Sequence, residues 1–305
     1  MTPTNAVITI PPIGRDHRIG SVFSHVFSVM FQTEQTDRNT VHDIIWDFKD
    51  CTFLHPFFLA ALAVLKNRYG NIIKPQNIAI KSYFDLVYFH SPLVVRDNHD
   101  DSIWQHYHYR SYLPICLFNP QSKSSSRHAQ ELVQNTVKAQ IGAHPKLHSV
   151  LSLLLGELID NITDHAHSDR GYLFCQRIPR ENMLYVFISD TGHTIYSSYA
   201  SDARYVDKLT NRESSALALA LSGMSTKNRP DNENRGYGIS KSRKLIVDGL
   251  NGEFFILSGS TFFRHDRQDE VLVDLPETVR WDGTVVLLKI PTIIPVDLDI
   301  YKYIS

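Results

Sequence analysis

The chain has 305 residues, 43% of them hydrophobic and 21% charged, which is ordinary globular composition and enough length for two domains of common size. Its 31 lysines and arginines nearly balance 32 aspartates and glutamates, and a net charge of -1 gives no electrostatic footprint for nucleic acid or an anionic membrane surface. The opening MTPTNAVITIPP lacks a basic start followed by an apolar run, and no stretch reaches bilayer length, so a soluble cytoplasmic protein is expected.

In chain order, AVITI reads as a strand, SVFSHVFSVMF as an amphipathic helix, DIIWDF as a strand, and PFFLAALAVLKNRYG as a helix closed by Gly70. NIAIKSY reads as another short strand and DLVYFHSPL as helical or irregular, giving an α/β layer pattern. The span from VRDNHDD to YHYR is polar and rich in His and Tyr; its aromatic residues suit either a partner-binding surface or packing under a domain interface. YLPICLF returns to strand character, and NPQSKSSSRH has the composition of a connector. A boundary near Ser122 to Arg127 follows, with domains at 1–122 and 129–296. Cys51, Cys116 and Cys175 lie far apart inside apolar runs, as reduced buried thiols do; a zinc site needs closer ligands.

Beyond the boundary, AQELVQNTVKAQIG and HSVLSLLLGELIDNITDHAHS read as helices, and GYLFCQRIP and NMLYVFISD as paired strands turned by PREN. ESSALALALSG is helical, STKNRPDNENRG is very polar, GYGISKSRKLIVDGL opens on glycines and becomes a helix, and GEFFILSGSTFFRH, DEVLVDL and GTVVLLKI are strands. Helices followed mostly by strands predict an α+β sandwich, a mixed sheet covered by helices.

Four segments carry chemistry. On the long helix, Leu151, Leu154, Leu155, Leu158 and Ile162 recur at core spacing, while Glu157, Asn161 and His165 stand four apart on a neighbouring stripe. An amide oxygen there can coordinate Mg²⁺, and a carboxylate one turn away can accept a proton from a water or hydroxyl. Asp190 and Gly192 end an apolar strand, where a carboxylate can accept from an exocyclic amine and a glycine lets the backbone approach a ring. Gly236 and Gly238 precede a helix whose first amides can face a phosphate, with Arg235, Lys241, Arg243 and Lys244 nearby. Thr284, after Gly283, places a hydroxyl on the closing strand. Each segment alone has an ordinary reading as solvated face or tight turn.

In order, these segments resemble the ATP-binding fold shared by gyrase, a heat-shock chaperone family, histidine kinases and mismatch-repair ATPases, called the GHKL or Bergerat fold. ELIDNITDHA is similar to the E-x-x-x-N-x-x-x-H-A form of its anti-sigma serine kinase branch. The resemblance implies Mg·ATP binding, with Glu157 as base, Asn161 as Mg²⁺ ligand, Asp190 reading adenine and Gly192 giving it room. It further implies Gly236 and Gly238 at the phosphates, Thr284 supporting the adenine and Asp190 through a bridging water, and Ser225 to Arg235 as an ATP lid using Lys227, Arg229 or Arg235. The chain departs from the family pattern in Gly192-His193-Thr194, where a second glycine is usual, and in Ile239-Ser240, where some relatives have further glycines. His165 is expected in a structural or nucleotide-edge role, with metal chelation alongside His167 a minor one.

HDIIWDFKDCTFLHPFFLAALAVL resembles the STAS domain of anti-sigma antagonists, although Leu54-His55-Pro56-Phe57-Phe58 puts no hydroxyl on the turn where that family offers a phosphorylatable serine. Together the two resemblances imply a cytoplasmic regulatory protein with a protein partner and a tendency to pair, acting as an ATPase or serine kinase. The alternatives are a non-catalytic ATP-dependent switch and an interaction scaffold.

Overall fold

The computed structural model describes residues 4–14, 18–36, 41–74, 78–96, 101–107, 110–142, 144–165, 167–226, 237–296 and 298–304. The architecture is mixed α/β, and the chain divides into two compact units, Met1–Leu93 and Val94–Ser305.

The first unit alternates β1 (Thr4–Thr9), α1 (Ile19–Gln35), β2 (Val41–Asp47), α2 (Pro56–Tyr69), β3 (Ile72–Lys74) and α3 (Ile78–Leu86). Its strands form a parallel sheet in the order β1-β2-β3. α1 buries Val22, Phe23, Val26, Val29 and Met30, one stripe at helical spacing. α2 buries every residue from Pro56 to Leu65, so it is an interior helix rather than an amphipathic one. It starts where the His55 imidazole accepts the Phe57 N–H at 3.3 Å, with Pro56 at its first position, and stops at Gly70, which at φ 67° donates its N–H to the Lys66 carbonyl. NIAIKSY is not a strand: from Ile78 on it belongs to α3, because Ile80 and Phe84, four apart, are buried while Ile78 is exposed. The strand is the preceding Ile72–Lys74.

β4 (Leu93–Val94) straddles the division, and the second unit goes on through α4 (Asp101–Gln105), β5 (Tyr112–Phe118), α5 (Lys123–Ile141), α6 (Pro145–His165), β6 (Gly171–Ile178), β7 (Met183–Asp190), α7 (Ile195–Ala200) and α8 (Glu213–Leu221). A helical stretch, α9, runs through Tyr237–Lys241, Ser242–Lys244 and Leu245–Gly249 with a break at Gly238; β8 (Glu253–Gly259), β9 (Thr261–His265), β10 (Glu270–Asp274), β11 (Trp281–Pro291) and α10 (Tyr301–Ile304) complete the unit. Among the described residues these strands make an eight-stranded sheet in the order β10-β9-β8-β11-β7-β6-β5-β4, antiparallel at every pairing from β10 to β5. α5 lies on β5 and β6, α6 on α5 and β7, and α9 on β8 and β11.

The units part between Leu93 and Val94, not near Ser122 to Arg127. YLPICLF is β5, paired with β6 through Leu113↔Cys175 and Cys116↔Leu173, and so belongs to the larger sheet. The serine cluster is the start of α5 instead of a spacer. Ser122 Oγ accepts the Ser125 N–H at 3.2 Å as the helix cap, and the buried Ser125 hydroxyl donates to the Val95 carbonyl at 2.9 Å. Short hydroxyls suit caps as well as linkers, and composition does not separate the two. Trp104 and Tyr107 of the His/Tyr-rich span are buried in this unit against His128 and Tyr112; residues 97–100 and 108–109 of that span lie outside the described residues. All three cysteines are buried, and none of them forms a disulfide. No helix among the described residues is long and apolar enough to cross a membrane.

Candidate functional site

α6 sorts its residues by face. Leu151, Leu154, Leu155, Leu158 and Ile162 are buried, as their spacing requires, while Glu157, Asn161 and His165 are half-buried on the neighbouring stripe. A third face meets α5, where Asp160 accepts from Gln130 Nε2 at 2.5 Å and Thr163 Oγ1 meets Ser126 Oγ at 3.1 Å. The Asn161 stripe is therefore distinct from the face that joins α6 to α5. It meets the start of α9: a Cβ placed on Gly238 would stand 3.9 Å from Asn161 Nδ2. Gly238 has non-helical dihedrals, and the helix proper follows it. Gly236 lies outside the described residues.

Asp190 ends β7 at 1% exposure. Both carboxylate oxygens are held by backbone: the Gly192 N–H donates to Oδ1 at 2.8 Å and the Thr284 N–H to Oδ2 at 3.2 Å. Burial pushes its pKa up to about 7, against the two amide bonds, which pull it down. Gly283, at φ 81°, makes this possible. A Cβ there would meet Asp190 Oδ1 at 2.4 Å and the Asp190 carbonyl oxygen at 2.5 Å. Behind Asp190, Gly171 is its partner across β6 and β7, and a Cβ on Gly171 would sit 2.3 Å from the Phe118 ring. The carboxylate thus lies in a slot that Gly283 keeps open, while Gly171 makes room for the Phe118 ring.

Thr284 reaches Asp190 directly through its amide, and its hydroxyl lies 3.1 Å from Ser258 Oγ. The buried Ser258 joins three segments: its Oγ also lies 3.0 Å from the Gly283 carbonyl and accepts the Ile195 N–H at 2.9 Å. Sequence reading passes over Ser258. The signal available is a lone hydroxyl directly before Gly259 at the end of the wholly buried run FFIL.

After Gly192 the chain turns into α7, which Thr194 caps by accepting the Ser197 N–H at 3.2 Å. A threonine at this point is accounted for by that cap. The exposed His193 ring stands 4.7 Å from the His167 ring, and Ser168 and Thr191 hydroxyls lie 3.3 Å apart, tying the end of α6 to this loop. The segment entering the polar stretch is fastened by carbonyls: Tyr199 donates to Met224, Tyr205 to Ser225 at 2.9 Å, and Arg204 to Thr226 at 3.0 Å, with Thr226 Oγ1 3.5 Å from His165 Nε2. Lys227, Arg229 and Arg235, expected at a phosphate, lie outside the described residues. Arg243 is committed elsewhere, over the Phe263 ring and 2.6 Å from Glu270; Lys244 is exposed and Lys241 half-buried. Among the described residues no three His, Cys, Asp or Glu side chains converge as a metal site, so His165, His167, Asp164 and Asp169 do not form one.

The structure therefore brings Asn161 to Gly238, and Asp190 to Gly192 and Thr284, from segments scattered over more than a hundred residues. Glu157 lies one helical turn before Asn161 on the same stripe. No family model matches the chain, and neither does any curated protein or solved structure with which it was compared.

Proposed function

We propose that the second unit binds Mg·ATP in the manner of the GHKL fold, and that the protein is a cytoplasmic regulator whose first, STAS-like unit docks a protein partner. The observation that carries the nucleotide reading is the Asp190 slot. A carboxylate held at 1% exposure by two backbone amides, with Gly283 flat against it, has oxygen lone pairs left for one more donor, which an exocyclic amine supplies. What supports a Mg²⁺-bound triphosphate beyond the purine is that the Asn161 side chain and Gly238 meet at the start of α9. There Asn161 would hold the ion through its amide oxygen, and the first amides of α9 would face phosphate. Bound Mg²⁺ would neutralise phosphate charge and orient the terminal phosphoryl group. Glu157 is the candidate base, positioned to take a proton from a water or a partner's serine hydroxyl.

A thermal melt with and without excess Mg·ATP tests binding, beside an Asp190→Asn variant. Ligand at a hundred times its Kd adds about 2.7 kcal/mol to a folded state that alone binds it, so the midpoint should rise in the wild type and stay put in the variant. No response to ATP, ADP or a non-hydrolysable analogue would remove the proposal. Glu157→Gln then separates enzyme from switch: retained binding with lost hydrolysis or phosphoryl transfer makes Glu157 catalytic, whereas unchanged partner regulation makes the nucleotide a conformational ligand only.

A further inference from the structure

The hydroxyl protons around Ser258 can be counted. A carbonyl oxygen accepts and never donates, so the 3.0 Å contact from Ser258 Oγ to the Gly283 carbonyl uses the one proton Ser258 has. The Ile195 N–H, at 2.9 Å, occupies one Ser258 lone pair. The remaining 3.1 Å contact, to Thr284 Oγ1, then has a single polarity that satisfies every member: Thr284 donates and Ser258 accepts. With its proton directed at Ser258, the half-buried Thr284 hydroxyl has only lone pairs left for anything in the slot. Asp190, a few ångströms away across the Thr284 amide, likewise has only lone pairs to offer when ionised. With Asp190 ionised, the edge is acceptor-only.

From this we infer that Ser258 is a positioning residue for specificity: by holding the Thr284 proton it makes the slot select an amino edge over a carbonyl edge. The inference rests on the nucleotide reading of this site. At the 6-position a ligand presenting C6–NH₂ meets complementary acceptors, and one presenting C6=O sets a third acceptor against them there, its own donor lying at the neighbouring N1. Ser258 need not touch the ligand to do this. Removing its Oγ frees the Thr284 hydroxyl to rotate and donate, which converts one wall of the slot from acceptor to donor.

The test is the ratio of ATP to ITP affinity, since the two differ only at C6 and the adjoining N1, measured by calorimetry on the full chain with Mg²⁺ present and at a pH above 7, where Asp190 is ionised. The wild type should favour ATP, and Ser258→Ala should narrow that preference by about fivefold, the worth of one neutral hydrogen bond. Ser258→Cys, which keeps the shape with a weaker acceptor, should narrow it less and stands in if the alanine variant folds poorly. The same Ser258→Ala change in a Thr284→Val background should leave the ratio where Thr284→Val put it. A merely structural serine would weaken both nucleotides equally. An unchanged ratio in Ser258→Ala, or an equal change with valine at 284, overturns the inference while leaving the nucleotide reading intact. Failure of the wild type to bind either nucleotide overturns both.

Discussion

Asp190 gives the sharpest prediction because its protonation is tied to folding with a definite sign. An aspartate in the unfolded chain titrates at 3.8, and in the folded chain burial moves it to about 7. Between those values the native state holds a proton that the unfolded state has lost. The stabilisation is therefore complete below 3.8 and is lost as pH rises through 7. At 1.36 kcal/mol per pKa unit, the total is on the order of 4 kcal/mol, largely felt between about pH 4 and pH 7. In Asp190→Asn this dependence disappears. One side-chain oxygen is retained for one backbone amide, and the NH₂ faces the other, so the variant loses a hydrogen bond at every pH. The wild-type stability minus the variant's should then fall by a few kcal/mol as urea unfolding is repeated from about pH 4.5 to about pH 8. Curves that run parallel across that range would refute the reasoning, because they would mean that the folded carboxyl titrates where the unfolded one does. Ligand binding shares the linkage: an amine donor needs the ionised carboxylate, so ATP affinity should strengthen as pH rises through about 7, with proton release on binding in calorimetry across buffers of different ionisation enthalpy.

Gly283→Ala places a methyl 2.4 Å from Asp190 Oδ1 at a φ of 81°; a loss of roughly 2 kcal/mol or more in urea unfolding is expected, together with loss of the ATP-dependent melt shift. Gly171→Ala drives a methyl into the Phe118 ring, and the expected cost of about 1–3 kcal/mol should be partly recovered by adding Phe118→Leu, measured as a double-mutant cycle. Glu213 accepts from Ser260 N–H and pairs with Arg280 at 2.6 Å beside Gly259, anchoring α8 to the turn between β8 and β9. Glu213→Ala should lower stability by about 2 kcal/mol, and a melt unchanged from wild type would show that the anchor contributes nothing.

Which features were legible follows from the range of the forces that set them. Local ones were written in the chain. The leucine spacing of α6, the Gly70 stop of α2 and the PREN turn between β6 and β7 depend on residues within a few positions of one another, and periodicity and backbone preference record them directly. The stripe Glu157-Asn161-His165 was readable for the same reason, since helical geometry alone aligns it.

Where local signals compete, distant contacts decide between them. NIAIKSY alternates well enough for a strand, and only the burial of Ile80 and Phe84 against neighbours elsewhere makes it a helix. NPQSKSSSRH has linker composition, yet Ser125 is buried because the Val95 carbonyl needs a donor, a demand that arises thirty residues away. The site divides in the same way. Sequence placed Asp190, Gly192 and Thr284 at strand ends, but it could not say that the Thr284 amide meets Asp190, that Gly283 must lack a side chain because Asp190 lies against it, or that the Ser258 and Thr284 hydroxyls meet. Those are contacts between β7, β8 and β11, fixed by antiparallel register across segments far apart in the chain. Residue types determine which hydrogen bonds a segment can make; only tertiary packing decides which partner is within 3 Å, because that distance is set by every other contact in the sheet.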